Sequence, residues 1–229
     1  MIVFRDVTAT VSSGRIRSTV LENLSLMLPT DKSLVVLGRE GSGKTTLIRL
    51  LAGAVSPTSG TIERYVTVSF PVGFAGGFNR SLSVLHNISH AARLYGADAE
   101  EVVAFVAALV GIGDELDESY GDLPQQLQRK LAYALSYAIP FDVYLIDDRI
   151  VMGDNEFRSK CEYVFEQRMK TSRFILTSSR PNYAKRFARK AAILQGKKIS
   201  LYDDIDRAIW ELDRLAPPDA AAAEGEGAD

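Results

Sequence analysis

One octapeptide decides the fold of this chain: Gly38-Arg39-Glu40-Gly41-Ser42-Gly43-Lys44-Thr45. It fits the pattern G-x-x-x-x-G-K-[ST], which is typical of loops that bind phosphate groups. The apolar stretch Leu34-Val35-Val36-Leu37 precedes it, and residues 46–52 after it have helical character. A strand, a glycine-rich turn and a helix in this order predict a phosphate-binding loop. The alternative, a glycine-rich turn with a stray lysine, is disfavoured by this context.

The residue types of the octapeptide suit a nucleoside triphosphate. Gly41 and Gly43 let the backbone turn with its N–H groups inward, because a Cβ would block a positive φ or the close approach of the phosphates. The following helix adds the partial positive charge of its N-terminus. Lys44 is expected to bridge the β- and γ-phosphates, and the Thr45 hydroxyl to ligate Mg²⁺. The expected nucleotide-binding residues are Gly38, Arg39, Glu40, Gly41, Ser42, Gly43, Lys44, Thr45 and Thr46.

Composition narrows the class of protein. A chain of 229 residues with 46% hydrophobic content can form one domain, or one domain with an inserted lobe. A net charge of -2 argues against nucleic-acid binding, which favours a basic face. Cys161 is the single cysteine, so we expect an inert helix thiol and a reducing compartment. With neither a membrane-length apolar run nor a signal-peptide pattern, we expect a cytosolic chain that docks on a membrane protein.

The hydrophobic pattern predicts an α/β core with a helical insertion. Strand patterns occur at residues 2–7, 20–28, 33–37, 65–70, 143–146, 174–177 and 191–194. A turn is predicted at residues 57–60, and residues 83–136 are mostly helical in pattern. Residues 216–229 contain no bulky apolar side chain and are expected to be disordered.

A second nucleotide element follows the helical region: Asp142-Val143-Tyr144-Leu145-Ile146-Asp147-Asp148. An apolar strand that ends in aspartate is a weak signal alone, because many buried strands do so. In a chain that also has a phosphate-binding loop, it predicts that Asp147 holds Mg²⁺ through water.

This order of elements resembles ABC-type ATPase subunits, and more closely the ATP-binding subunits of bacterial capsular-polysaccharide exporters. The resemblance covers about residues 1–205 and is carried by Phe70-Pro71-Val72-Gly73-Phe74-Ala75-Gly76-Gly77-Phe78, Ser81-Leu82 and Val151-Met152-Gly153-Asp154-Asn155-Glu156-Phe157-Arg158. It implies a P-loop NTPase fold in which a RecA-like core carries a helical lobe at about residues 83–138, within one domain of residues 1–215. It also implies ATP and Mg²⁺ as cofactors, an integral membrane permease as partner, and a homodimer or a heterodimer with another ATPase chain. Such a subunit lies on the inner face of the plasma membrane.

Three positions on the nucleotide side depart from the pattern that the resemblance implies. Val11 stands where an aromatic residue usually stacks on adenine. Asp148 stands where a glutamate polarises the attacking water, and a carboxylate withdrawn by about 1 Å can cost ~10²-fold in rate. Ser179 stands where a histidine contacts the γ-phosphate, and a hydroxyl lacks the charge and span of imidazole. Asp148 and Ser179 are the candidate catalytic residues.

The signature segment, which contacts the γ-phosphate held by the opposite subunit, departs most. Leu123-Pro124-Gln125-Gln126-Leu127 occupies its position, so a serine hydroxyl is replaced by Pro124 and a glycine by Gln126. Proline is tolerated in the first turn of a helix. A capped surface helix and a working γ-phosphate contact remain about equally supported. Asn79 is the nearest candidate for the amide that senses Mg²⁺.

These departures affect both halves of the composite site in the same chain. Neither a homodimer nor a heterodimer that contains this chain would assemble the usual full set of groups. Two hypotheses follow: an export subunit that binds Mg·ATP and hydrolyses it slowly or not at all, or a pseudo-ATPase that regulates or scaffolds the export machinery.

Three lesser features are weighed as well. His86 and His90 have helical i, i+4 spacing but no evident third ligand for a metal ion. The tyrosines of the helical region are expected to pack rather than bind sugar. A basic run is expected to be a solvated face, with contact to anionic headgroups or a membrane protein as the alternative: Arg180, Lys185, Arg186, Arg189, Lys190, Lys197 and Lys198.

Overall fold

The computed structural model describes residues 1–13, 16–148 and 153–215. Its strands are β1 Ile2–Ser13, β2 Ile16–Leu28, β3 Leu34–Leu37, β4 Ser59–Arg64, β5 Val68–Pro71, β6 Val143–Asp147, β7 Arg173–Ser178, β8 Lys190–Gln195 and β9 Lys198–Tyr202. Its helices are α1 Lys44–Leu51, α2 Val84–Leu94, α3 Ala99–Val110, α4 Gln125–Ala138, α5 Asn155–Arg168, α6 Pro181–Ala184 and α7 Ile205–Arg214.

The larger sheet has the strand order β5-β6-β7-β3-β8-β9. Its strands are parallel from β5 to β8, and β9 pairs antiparallel with β8. Because β7 lies between β3 and β6, the loops that follow these three strands leave the sheet at one edge. The register pairs Leu37 with Ser178 and Asp147 with Thr177, so the three strands end almost level.

Two hydrophobic cores cover the two faces of the larger sheet. Successive side chains of a strand point to opposite faces, so a strand buried on both sides reads as a continuous apolar run. In β3, Val35 and Leu37 join the core formed with the helices from α2 onward, whereas Leu34 and Val36 join the core under α1 and the smaller sheet. All four side chains are buried, which fixes the strand from which the octapeptide emerges.

The smaller sheet is antiparallel, with the order β2-β1-β4. Its register shifts between Phe4 and Val7, where Asp6 has a φ of 50°. The backbone N–H of Asp6 donates to Ser25 Oγ (2.9 Å), and that hydroxyl donates to Asp6 Oδ1 (2.7 Å). Aspartate tolerates the left-handed conformation because its short side chain forms such local hydrogen bonds.

The helices α2, α3 and α4 lie between β5 and β6 in the chain and pack on one another. Side chains cap the first two: Ser83 accepts the N–H of His86, and Asp98 accepts the N–H of Glu101. Helix α4 follows Pro124 and has no side-chain cap. Three of the four tyrosines of this region are buried, as the expected packing role requires: Tyr120, Tyr133 and Tyr137. Tyr95 is 43% exposed, although its ring lies against those of Phe70 and Phe141.

The structure corrects the strand prediction for residues 65–70. The chain passes between two strands in this range instead: β4 of the smaller sheet ends before it, at Arg64, and β5 of the larger sheet begins within it, at Val68. The predicted turn at residues 57–60 is also too long, because Ser59 and Gly60 already belong to β4. Alternation of apolar residues continues through the crossing between sheets, so periodicity alone does not reveal the break. Strand β9 and helix α7 were not predicted, and the tail at residues 216–229 lies outside the described residues.

Gly60 offers a test of the junction between β1 and β4. Its φ is +80°, and an added Cβ would lie 2.4 Å from the carbonyl oxygens of Arg5 and Asp6. Gly96 has a similar φ of +71° with nothing within 4 Å of an added Cβ, so it is a matched control. We expect Gly96→Ala to lower the free energy of unfolding by about 1 kcal/mol and Gly60→Ala by about 2–4 kcal/mol, measured by urea denaturation. Equal losses would contradict the close approach of β1 to Gly60.

Candidate functional site

The octapeptide forms a loop between β3 and α1. Gly41 and Gly43 have φ values of 77° and 99°, which satisfies the expectation that both need a conformation open to glycine. A Cβ on Gly43 would also lie 2.8 Å from Cβ of Val20, a residue of β2. Val20 therefore packs against Gly43, and the smaller sheet restricts the conformation of the loop. The sequence pattern did not reveal this role of Val20.

Lys44 spans the loop from its base. Its Nζ donates to the carbonyl oxygens of Gly38 and Arg39, each at 2.7 Å. Burial lowers the pKa of the ammonium group, and the nearby carboxylates of Asp147, Asp148 and Glu40 oppose that shift. The lysine thus holds its positive charge under the loop backbone, where a phosphate anion would relieve the cost of burial.

The loop and the helix that follows fit an anion. Gly43 caps α1 without a side-chain hydrogen bond, and the first turn contains no acidic residue, so its N–H groups point into the loop region. The Ser42 hydroxyl is buried and has no hydrogen-bond partner among the described residues. Gly38 allows Ser42 to approach the start of the loop, because a Cβ at position 38 would lie 2.6 Å from Ser42 Oγ. Backbone donors, a hydroxyl and an ammonium group converge, as a polyphosphate requires.

Thr45 and Asp147 line one cavity of about 400 Å³. Thr45 is exposed in the first turn of α1, and Asp147 ends β6. The Thr177 hydroxyl donates to Asp147 Oδ1 (2.7 Å) and so orients the carboxylate. A hydroxyl and one oriented carboxylate beside a phosphate site fit the sparse protein ligation that Mg²⁺ accepts.

Asp148 directly follows β6 and has a φ of 63°. Its N–H donates to the carbonyl oxygen of Thr177 (2.9 Å), which ties it to β7. Nη2 of Arg180 lies 3.4 Å from Asp148 Oδ2. The candidate water-polarising carboxylate is therefore paired with a guanidinium group from the next strand's loop.

Ser179 is the first residue after β7 and is exposed. Since β6 and β7 are parallel and in register, Ser179 and Asp148 lie at the same edge of the sheet. The structure thus brings the octapeptide, Asp147, Asp148 and Ser179 together at the sheet edge.

The signature-position segment stands apart from the phosphate-binding loop. Pro124 precedes α4 rather than lying in its first turn, and its carbonyl oxygen accepts the N–H groups of Leu127 (2.9 Å) and Gln128 (3.1 Å). Gln126 is exposed and lines a different cavity with Arg129, Lys130, Gly153 and Asp154. Residues 123–127 therefore supply no side chain to the cavity that Thr45 and Asp147 line in the same chain.

The candidates for adenine stacking and for sensing Mg²⁺, Val11 and Asn79, show no such role in the structure. Val11 is 37% exposed on β1 and offers no aromatic face. The Asn79 side chain accepts the N–H of Ser81 (2.9 Å), and its backbone N–H donates to Asn87 Oδ1 (2.7 Å). Asn79 therefore stabilises its own turn.

The histidines and the basic run are also placed by the structure. Nδ1 of His86 lies 2.7 Å from Ser83 Oγ, and the described residues hold no cluster of three His, Cys, Asp or Glu side chains fit for a metal ion. Several cations of the basic run pair with acidic residues: Lys185 with Asp206, Lys190 with Asp203, and Lys197 with Glu22. Burial raises the pKa of the Cys161 thiol to about 12, which makes it unreactive.

The sequence is similar to those of known ATP-binding proteins, and one of the two described here is named for capsule export. The chain is 38% identical over 190 residues to the ATP-binding protein BexA of Haemophilus influenzae, which covers 83% of this chain and 88% of BexA. It is 35% identical over 190 residues to the capsule polysaccharide export ATP-binding protein CtrD of Neisseria meningitidis serogroup B, with the same coverage of 83% and 88%. These relatives confirm the resemblance to ATP-binding subunits of capsule exporters.

The fold is shared with solved cassettes. The dimeric post-hydrolysis structure of the ATP-binding cassette MJ0796 bound to ADP and Pi superposes with a TM-score of 0.69 at 16% identity, covering 90% of this chain and 99% of that one. The α/β P-loop NTPase fold of ABC type is thereby confirmed. In the described part of the chain, every helix is too short or too polar to cross a membrane. A profile of the ABC transporter family matches residues 21–150, and together with these relatives it shows that the chain belongs to that family.

Proposed function

We propose that this chain is the ATP-binding subunit of a transporter that exports a capsular polysaccharide, and that it binds Mg·ATP with slow or lost hydrolysis. The observation that carries ATP binding is the loop around Lys44, where an ammonium group, a buried Ser42 hydroxyl and an uncapped helix N-terminus converge. The similarity to CtrD, a capsule polysaccharide export ATP-binding protein, supports the substrate class.

The binding roles follow from the placement of each group. Residues 38–46 hold the phosphates, with Lys44 exchanging its two carbonyl partners for phosphate oxygens. Thr45 and Asp147, which line one cavity, would hold Mg²⁺, Asp147 through water. Residues 1–215 act as one nucleotide-binding domain, with residues 83–138 as its helical lobe. When bound, Mg·ATP supplies the phosphoryl group whose charge these residues neutralise.

Slow hydrolysis is supported by two altered positions, Asp148 and Ser179. The carboxylate of Asp148 is one methylene shorter than the glutamate that the family resemblance implies. Ser179 offers only a hydroxyl at the position of the expected histidine. Catalysis requires that these side chains reach the attacking water and the terminal phosphate. The shorter Asp148 and Ser179 side chains are therefore expected to lower the rate of hydrolysis more than the affinity for ATP.

The alternative proposal is that the chain is a nucleotide-responsive regulator or scaffold of the export machinery. The altered signature-position residues Pro124 and Gln126 favour it, because they lack the hydroxyl and the open backbone that would contact a partner's nucleotide. A transporter subunit works with an integral membrane permease on the inner face of the plasma membrane, as a homodimer or with another ATPase chain, and does not bind nucleic acid. A regulator shares that location but leaves turnover to an intact cassette.

Replacing Lys44 tests nucleotide binding. We expect Lys44→Ala to weaken Mg·ATP binding at least about 30-fold, because a charge-assisted contact to the phosphates is lost. Lys198→Ala, which removes an exposed lysine from β9, is the control and should bind like wild type. Titration calorimetry and ATP-induced thermal stabilisation measure both variants. Equal stabilisation of Lys44→Ala and wild type would refute the proposed site.

Steady-state hydrolysis tests the second part of the proposal. We expect turnover at least ~10²-fold below a typical ~10 s⁻¹, with Lys44→Ala as the background measurement. Asp148→Glu alone should recover little, since Ser179 and residues 123–127 remain altered and catalytic groups that act as a unit are not additive. A large gain from that single change would show that residues 123–127 are competent.

Self-association tests the signature-position residues. We expect the chain to stay largely monomeric with Mg·ATP, because Pro124 and Gln126 give a nucleotide across the dimer few contacts. The double variant Pro124→Ser, Gln126→Gly should strengthen ATP-dependent dimerisation. Sedimentation velocity with and without Mg·ATP compares the two proteins, and a wild-type dimer that forms only with ATP would contradict the expectation.

A further inference from the structure

Arg180 is a cation beside the candidate catalytic carboxylate of Asp148, and the family resemblance assigns it no role. It lies between Ser179 and helix α6, and its Nη2 reaches Asp148 Oδ2 at 3.4 Å. Its guanidinium group also stacks over the Tyr183 ring, 4.9 Å from the centroid. The side chain therefore crosses from the end of β7 to the end of β6, over the edge where the phosphate site lies.

Charges of opposite sign interact at this edge. The carboxylates of Asp147 and Asp148 oppose the lowering of the Lys44 pKa, and Asp148 also contacts Arg180, so Asp148 interacts with two cations. A triphosphate on the loop brings further negative charge beside Lys44. Its terminal phosphate would be the strongest anion within the neighbourhood of Arg180.

The pair between Arg180 and Asp148 is easily exchanged. The Arg180 side chain is 52% exposed and that of Asp148 is 40% exposed, and ion pairs so accessible to solvent contribute little to stability. A phosphate group offers more charge and two acceptors for the planar guanidinium fork, which makes the contact shorter and stronger. A phosphate group within reach of Arg180 would therefore compete with Asp148 for the guanidinium group.

The backbone of Arg180 is held while its side chain can turn. Its N–H donates to Oγ of the buried Ser178 (3.0 Å), and Pro181 begins α6 directly after it. A fixed backbone with an exposed side chain allows the guanidinium group to change partners by rotation about its own χ angles alone. No rearrangement of the sheet is required.

We propose that Arg180 binds the terminal phosphate of ATP, in exchange for its pair with Asp148, and so lets the chain distinguish ATP from ADP. The inference rests on the proposed function, in which residues 38–46 bind the nucleotide. Arg180 supplies, one position after Ser179, the positive charge that a serine cannot supply. It is a specificity-determining residue for a nucleotide that carries a γ-phosphate.

The test compares the affinities of Mg·ATP and Mg·ADP, measured by titration calorimetry on the full chain. We expect Arg180→Ala to weaken ATP binding about tenfold or more while ADP binding changes less than about twofold. Arg180→Lys, which keeps the charge, should restore part of the preference for ATP. Arg186→Ala is the matched control: its guanidinium group also lies over an aromatic ring, that of Phe187 at 5.7 Å, but in a groove beside Glu162 and Glu166. It should leave both affinities unchanged.

Each other outcome overturns the inference. Equal weakening of ATP and ADP binding would show that Arg180 only shapes the site. Unchanged affinities with faster hydrolysis in Arg180→Ala would show that Arg180 restrains Asp148 and does not leave it. If wild type binds neither nucleotide, the proposed function itself fails, whereas wild-type binding with no effect at Arg180 rejects this inference alone.

Discussion

The parallel, in-register pairing of β6, β7 and β3 is the constraint on which the candidate site depends. Backbone hydrogen bonds hold Asp147 opposite Thr177 and Leu37 opposite Ser178, so three loops leave the sheet at one level. Groups far apart in the sequence thereby meet: a lysine, an aspartate that can hold Mg²⁺, and a second aspartate. A slip of one residue in any of the three strands would exchange the side chains that fill the two cores, and the packing of both cores resists that.

Charges of both signs interact at this edge: the carboxylates of Asp147 and Asp148 act on Lys44, and Arg180 pairs with Asp148. Lys44 also donates to two carbonyl oxygens, so both cations already have oxygen partners. Nucleotide binding is then an exchange of partners, with less reorganisation than the insertion of an anion into a bare cluster of cations.

The sequence predicted the parts of this site whose chemistry demands particular residues. Positive φ at Gly41 and Gly43, and the placement of Asp147 at a strand end, follow from steric and ligation rules that act locally. The role of Val20 could not be predicted, because its contact with Gly43 depends on how the smaller sheet lies against α1. Arg180 gave no signal within a basic run, since only the pairing of β6 with β7 brings it to Asp148. Residues 65–70 misled for a related reason: the apolar side chains of Val66, Val68 and Phe70 alternate with polar ones across the break, although β4 and β5 belong to different sheets.

Burial of β3 on both faces has a consequence for motion. Its amide groups exchange with solvent only if two separate cores open together, and such opening requires global unfolding. The loop that follows Leu37 starts from the most protected part of the sheet, whereas Ser179 and Arg180 lie in an exposed stretch before a helix of four residues. The fold thus joins a phosphate cradle that keeps its shape to a side chain that turns on the picosecond-to-nanosecond timescale of exposed rotamers.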